Sequence, residues 1–206
     1  MLAFYITLIY NIAMRIESGI LKGRKLKTIV AQGYRPAMAR VRGAIFSMLD
    51  ARGYYCEDRT ILDIFAGSGS LAFEALSRGA RHATFVEFNR HACATIEHNA
   101  TSFSLLPQQY SIYTGKAEDF IRKAKQTYDI IFIDPPYYQG YLKKTLHLLL
   151  RFQILHEESI IVTETEPDLS FNPETLCDAL ESIVDVRYGQ TRVNFWIPRS
   201  SHAKTA

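Results

Sequence analysis

From residue 60 onward, short apolar runs rich in β-branched residues alternate with longer stretches in which apolar positions recur every three or four residues. The first pattern suits strands and the second suits helices lying against them, so the chain reads as βα units feeding a parallel sheet. Strands are predicted over 60–66, 83–87, 110–114, 128–134 and 159–163, and helices over 70–78, 90–100, 117–125, 140–152 and 173–180. Ile130-Ile131-Phe132-Ile133 is apolar at every position, as expected of a strand covered on both faces.

The pattern changes near the end. Segments 182–188 and 191–197, separated by Gly189-Gln190, read as two strands joined by a tight turn. An antiparallel pair added to five parallel strands predicts an α/β fold with a seven-stranded, mostly parallel sheet and a terminal antiparallel β-hairpin. Before residue 60 the pattern is less regular. Residues 15–28 suggest two short strands around Gly19 and Gly23, followed by a loop to Pro36. Apolar residues at 38, 41, 45, 48 and 49 then have helical spacing. This small N-terminal extension has no obvious place in the sheet and is expected beside or over the C-terminal ends of the strands. The organisation implied is an apolar extension (1–14), a basic extension (15–59), the main domain (60–198) and a frayed polar tail (199–206).

Composition adds three constraints. A chain of 206 residues, 48% hydrophobic and 22% charged, supports one well-buried core and is not that of a disordered protein. The net charge of +3 hides an asymmetry: from Arg15 to Arg42 there are eight basic residues (Arg15, Lys22, Arg24, Lys25, Lys27, Arg35, Arg40, Arg42) against Glu17 alone. Positive charge gathered in so short a region suits a polyanion, because contacts to phosphates release counterions. Met1 to Met14 carries no charge, yet is shorter than the roughly 20 residues that cross a bilayer and lacks the basic flank and cleavage site of a signal peptide. The expectation is that translation begins at Met14. Cys56, Cys93 and Cys177 form no CxxC pair and no metal-ligand spacing, which points to free thiols in a reducing cytoplasm and to no metal.

Two runs carry chemistry. In Asp63-Ile64-Phe65-Ala66-Gly67-Ser68-Gly69-Ser70 a strand turns through two glycines into a helix. The dinucleotide fingerprint would need a third glycine, and position 72 is Ala72. Asp63 inside the strand suits a ligand bearing an ammonium better than one bearing a pyrophosphate, and S-adenosylmethionine carries such a group. Glu87, closing the next strand, is placed to accept hydrogen bonds from two ribose hydroxyls. Glu118 or its neighbour Asp119, after the third strand, can accept an adenine amino group, and Glu118 is preferred.

The second run is Asp134-Pro135-Pro136-Tyr137 at the end of the all-apolar strand. The prolines lock the backbone, the carboxyl of Asp134 accepts from a planar amino group, and Tyr137 offers a face on which a base stacks. A nitrogen attacking an activated methyl in line needs orientation and acceptors for its developing charge. A base within a duplex cannot reach such a pocket, so the substrate must be single-stranded, looped or flipped. These residues alone leave the guanine and adenine amino groups both open.

Taken together, the chain resembles the bacterial 16S ribosomal RNA guanine-N2 methyltransferases of the RsmD type. The resemblance rests on Arg15-Ile16 with Gly19, Lys22-Gly23-Arg24-Lys25-Leu26, Arg35-Pro36, Arg40-Val41-Arg42 with Phe46, Asp63 to Gly69, Glu74-Ala75-Leu76-Ser77-Arg78-Gly79, Asp134 to Tyr137, Thr163-Glu164 and Tyr188-Gly189. It implies a Rossmann-like class I methyltransferase fold, S-adenosyl-L-methionine as cofactor, and transfer to N2 of a guanine in 16S rRNA or the assembling 30S subunit. The protein would be a cytoplasmic monomer without metal or membrane contact, and family members commonly begin at the position of Met14. The implied catalytic residues are Asp134, Pro135, Pro136 and Tyr137. The implied cofactor residues are Asp63, Phe65, Ala66, Gly67, Gly69, Glu87, Ala117, Glu118 and Asp134. Arg24, Lys25, Arg35, Arg40, Arg42 and Tyr137 would meet RNA. The chain departs from the family pattern at Ala37, Ala39 and Gly43, where a Thr, an Asp and a Glu are usual, and at Lys116, where an acid is usual. Rival readings are adenine-N6 methylation of DNA or RNA, methylation of a protein glutamine amide, and a catalytically weak RNA-binding assembly factor.

Overall fold

The computed structural model describes residues 14–28, 36–136, 140–167 and 179–199. Its helices are α1 (Pro36–Asp50), α2 (Ser70–Ser77), α3 (Arg90–Ser102), α4 (Ala117–Lys123) and α5 (Tyr141–Arg151). Its strands are β1 (Thr60–Ile64), β2 (His82–Glu87), β3 (Tyr110–Thr114), β4 (Ile130–Ile133), β5 (Ile160–Thr165), β6 (Leu180–Tyr188) and β7 (Thr191–Pro198). They form one seven-stranded sheet in the order β3-β2-β1-β4-β5-β7-β6. The first five strands are mutually parallel and β7 runs antiparallel to both β5 and β6, so the expected fold class is borne out.

Alternation along the buried strands divides the core in two. Ile61, Phe85, Phe132 and Val162 belong to one cluster, packed with residues of α1, α2 and α3. Leu62, Val86, Ile133, Ile161 and Trp196 belong to the other, with residues of α4 and α5. Because both faces are covered, the middle strands carry no outward polar row, which is why β4 reads as an unbroken apolar run.

Most predicted ends shift by one to three residues, and three differences change the reading. The first strand stops at Ile64 rather than 66, because Phe65 enters the left-handed region at φ 64°. Most of the helix expected over 173–180 lies outside the described residues, and its last residue, Leu180, instead opens β6, paired with Pro198. The two short strands expected in 15–28 reduce to one bridge between Arg15 and Lys25. That segment spends its backbone groups elsewhere. The amides of Glu17 and Ser18 donate to the Glu74 carboxylate at 2.8 and 2.9 Å, that of Ile20 to the Ser77 carbonyl at 2.8 Å, and that of Lys27 to Asn99 at 2.9 Å. The extension therefore sits on α2 and α3, while α1 reaches the sheet through Phe46, whose ring lies 5.7 Å from that of Phe132.

Candidate active site

The sheet order reverses between β1 and β4, where α2 leaves one face and α5 the other; ligands of open α/β sheets bind in the crevice outside the strand ends at such a point. The strand preceding α2 supplies Asp63, 2% exposed, whose carboxylate accepts from the Ala72 amide at 3.3 Å. At Phe65 and Ala66 the chain turns, both amides donating to the Val86 carbonyl at 3.0 and 3.2 Å. A non-glycine residue held at positive φ costs energy that the surroundings must offset, and such positions gather at functional loops.

The two glycines do different work. Gly69, at φ 77°, opens α2 with no room for a side chain: an added Cβ would stand 2.7 Å from the Phe85 ring and 2.8 Å from that of Phe73. Gly67, at φ 56°, has no protein atom within 4 Å of its missing Cβ, so its backbone faces open space beside the crevice. Its amide donates to Glu87 at 2.9 Å. The other Glu87 oxygen accepts from the Asn89 amide at 2.8 Å, and Asn89 in turn caps α3 through the amides of His91 and Ala92. The acid ending β2 is thereby locked to the glycine loop, with acceptor lone pairs to spare.

Asp134 follows β4 directly, its amide directed at the Ile64 carbonyl at 3.4 Å. Pro135 is buried and Pro136 exposed. Tyr137 and Arg35 lie outside the described residues. Burial pushes the Asp63 carboxyl up to about 7, assisted by the nearby charges of Asp134 and Glu87 and opposed by the Ala72 amide. Burial likewise raises Asp134 above the ordinary carboxylate range. Glu164, to which sequence reasoning gave no role, joins them: burial and the charges of Asp134 and Asp63 raise it, while Arg42 opposes.

These shifts have a consequence for stability. A folded-state value of about 7 for Asp63, against an ordinary value near 4, means that the fold favours the protonated acid. The stability this gives is complete below pH of about 4 and is lost as pH rises to about 7, with a limiting slope of about 1.4 kcal/mol per pH unit. The ligand-free protein should therefore melt at progressively lower temperature from pH of about 5 to about 7, and Asp63→Asn should reduce that slope. A melting profile that rises across the same interval in the wild type contradicts the assignment.

Of the two acids starting α4, Glu118 is half-buried and bound to Lys144 of α5 at 2.8 Å; that hydrogen bond, first among the causes, lowers its pKa. Asp119 is exposed. An adenine amino group would share Glu118 with Lys144. Ala117 is buried, and Lys116 takes the N-cap position in extended conformation.

The basic extension divides as well. Arg15, Lys22, Arg24, Lys25, Lys27 and Arg40 are exposed. Arg24 is pinned, donating to the Ser102 carbonyl with its guanidinium 5.6 Å from the Phe103 ring centre. Arg42, expected at the RNA surface, is instead 3% exposed. It donates to the Arg15 carbonyl at 2.7 Å and to the Glu17 carboxylate at 2.8 Å, and lies 3.8 Å from Glu74. Its guanidinium joins the N-terminal segment to α2. The departure at Gly43 belongs to the same arrangement, because a Cβ there would stand 2.7 Å from a Glu17 carboxylate oxygen. Glycine at 43 gives Glu17 the room it uses beside Arg42.

A groove of about 350 Å³ lined by Thr84, Ser111, Phe120, Lys125 and Tyr128 opens on the other face of the sheet, since Thr84 alternates with Phe85, the register partner of Asp63. It holds none of the three raised carboxyls.

A Rossmann-like sheet with a glycine loop, an acid closing β2 and an Asp-Pro-Pro run ending β4 defines a class I methyltransferase fold. Residues 14–197 match the sequence family described as Conserved hypothetical protein 95, and the chain belongs to it. The chain is 35% identical to Ribosomal RNA small subunit methyltransferase D of Escherichia coli, over 74% of this chain and 75% of that protein. Identity to the protein of the same name from Haemophilus influenzae is 32%, over 75% and 80%. YlbH of Bacillus subtilis is 35% identical over 90% of this chain and its own full length. Among solved structures, yhhF of Escherichia coli superposes with a TM-score of 0.78 at 29% identity, covering 91% of this chain and 99% of that one. The resemblance to the RsmD family read from the sequence is thus borne out.

Proposed function

We propose that this protein transfers a methyl group from S-adenosyl-L-methionine to the exocyclic N2 of a guanine in 16S ribosomal RNA, on the RNA itself or on the assembling small subunit. Ribosomal RNA methylation of the RsmD type is what the family and its curated relatives support. The observation that carries the reading is the placement of the Gly67 loop and Glu87 next to Asp134, at the C-terminal ends of the neighbouring strands β2, β1 and β4.

The residues fit the cofactor. Gly67 leaves open space above its backbone, Glu87 keeps acceptor capacity for ribose hydroxyls, and Asp63 is a buried acid whose raised pKa falls when a cation arrives. S-adenosylmethionine supplies an activated sulfonium methyl. Asp134 then accepts a hydrogen bond from the substrate amine, orients its lone pair and favours the positive charge that grows on nitrogen. Pro135 and Pro136 restrict the backbone that aims the carboxyl, and Tyr137 stacks on the base. Exposed Arg24, Lys25 and Arg40 meet the flanking phosphates together with Arg35, and Glu118 takes the adenine amino group of the cofactor. The reaction needs no metal, and the protein acts as a cytoplasmic monomer. No helix among the described residues is long and apolar enough to cross a membrane.

Incubation with methyl-labelled cofactor and small ribosomal subunits, naked ribosomal RNA or DNA, followed by digestion to nucleosides, tests this. N2-methylguanosine is expected from the ribosomal substrates. N6-methyladenine as the product overturns the guanine assignment, and cofactor binding with no transfer to any substrate overturns the enzyme.

A further inference from the structure

Glu164 lies beside Asp134. Ile133 of β4 and Thr163 of β5 are register partners, so Asp134 and Glu164 are the next residues along two adjacent parallel strands. Strands in a sheet lie about 4.8 Å apart, and alternation puts both side chains on the face of Phe132 and Val162, the face that α1 covers. The Thr163 hydroxyl goes the other way, accepting from the Trp196 indole at 3.2 Å. Among the described residues no group of three or more His, Cys, Asp and Glu is arranged to hold a metal. The two oxygens of Asp134 already offer an acceptor to each N–H of one amino group, so the second acid is available to a different donor.

Guanine presents two adjacent donors on its Watson–Crick edge, N2–H and N1–H. Adenine presents its amine next to N1 with a bare lone pair. We propose that Glu164 is a specificity residue of this site: its carboxylate accepts the N1–H of the target guanine while Asp134 accepts from N2. The assignment rests on the guanine-N2 reading above and deepens it. A carboxylate facing the N1 lone pair of adenine is repelled, whereas one facing N1–H makes a charge-assisted hydrogen bond. Arg42 supports the ionised form; its charge acts on Glu164 against the raising effect of burial and of the neighbouring acids. The cationic methyl donor and the N1–H donor favour the same form.

2-Aminopurine separates this role from a structural one, because it keeps the 2-amino group but has a lone pair at N1 in place of N1–H. The experiment compares a ribosomal RNA fragment carrying guanine with one carrying 2-aminopurine at the methylated position, using wild type and Glu164→Gln. Wild type should prefer guanine in kcat/KM by about tenfold to a hundredfold, the value of a hydrogen bond to a charged group. In Glu164→Gln the amide can donate to N1, so the preference should shrink to within about threefold while binding of S-adenosylhomocysteine is retained. Equal use of the two RNAs by wild type overturns the assignment and needs no variant. So does a Glu164→Gln enzyme that is slower on both RNAs with its preference unchanged. A wild-type product other than N2-methylguanosine overturns the guanine reading and this assignment together, and is recognised from the wild-type digest alone.

Discussion

Asp134→Ala should lower the rate of methyl transfer by about 10²–10³-fold, the cost of removing one preorganised hydrogen-bonding group aimed at developing charge. Affinity for S-adenosylhomocysteine should stay within about threefold of wild type, because the proposed function gives most of that binding to the Gly67 loop, locked to Glu87 and open above its backbone. The split follows from position. Asp134 stands at the end of β4, whereas the contacts that lock the glycine loop run to β2. Single-turnover rates measured beside equilibrium binding separate the two effects. Parallel losses in rate and affinity would assign Asp134 to the cofactor rather than to the amine.

The second large effect falls on stability. Arg42→Met should destabilise the protein by about 3 kcal/mol, toward the lower end of what breaking a buried ion pair costs. The substitution leaves Glu17 without its partner at 2.8 Å, but Glu74, fully buried, keeps Arg78 at 3.0 Å. For a chain of this length such a loss lowers the melting temperature by about 6–12 °C. Lys22→Met, at an exposed position, should change stability by less than about 0.5 kcal/mol. Arg42→Met melting within a degree or so of wild type would mean that the network of Arg42, Glu17 and Glu74 does not hold the N-terminal segment to α2.

How much of this could be read from the sequence depends on whether the deciding contact is local. The parallel strands were legible because burial on both faces leaves an apolar run such as Ile130 to Ile133, and the glycine loop was legible because its turn is made by consecutive residues. Counting the charge of Arg42 with its neighbours puts it at the RNA surface, where the structure does not have it. Yet position 42 lies four residues after Met38 and three before Ile45, inside the apolar stripe of α1, and Glu17 is the lone acid of the basic stretch. A buried arginine and its partner were therefore visible as a pair. Glu164 was not, since its place beside Asp134 exists only once β5 is registered against β4. The local pattern puts Leu180 in a helix because its pairing with Pro198 lies 18 residues ahead in the chain.

The cofactor is expected to occupy the crevice between the ends of β1 and β4. Titration of the ¹⁵N-labelled protein with S-adenosylhomocysteine tests it most directly, by following backbone amide resonances. The account predicts that the largest shifts appear at Phe65, Gly67, Gly69 and Glu87, with smaller ones at Asp134. Shifts concentrated at Thr84, Ser111 and Phe120, around the groove on the opposite face, with Gly67 and Gly69 unmoved, would contradict it.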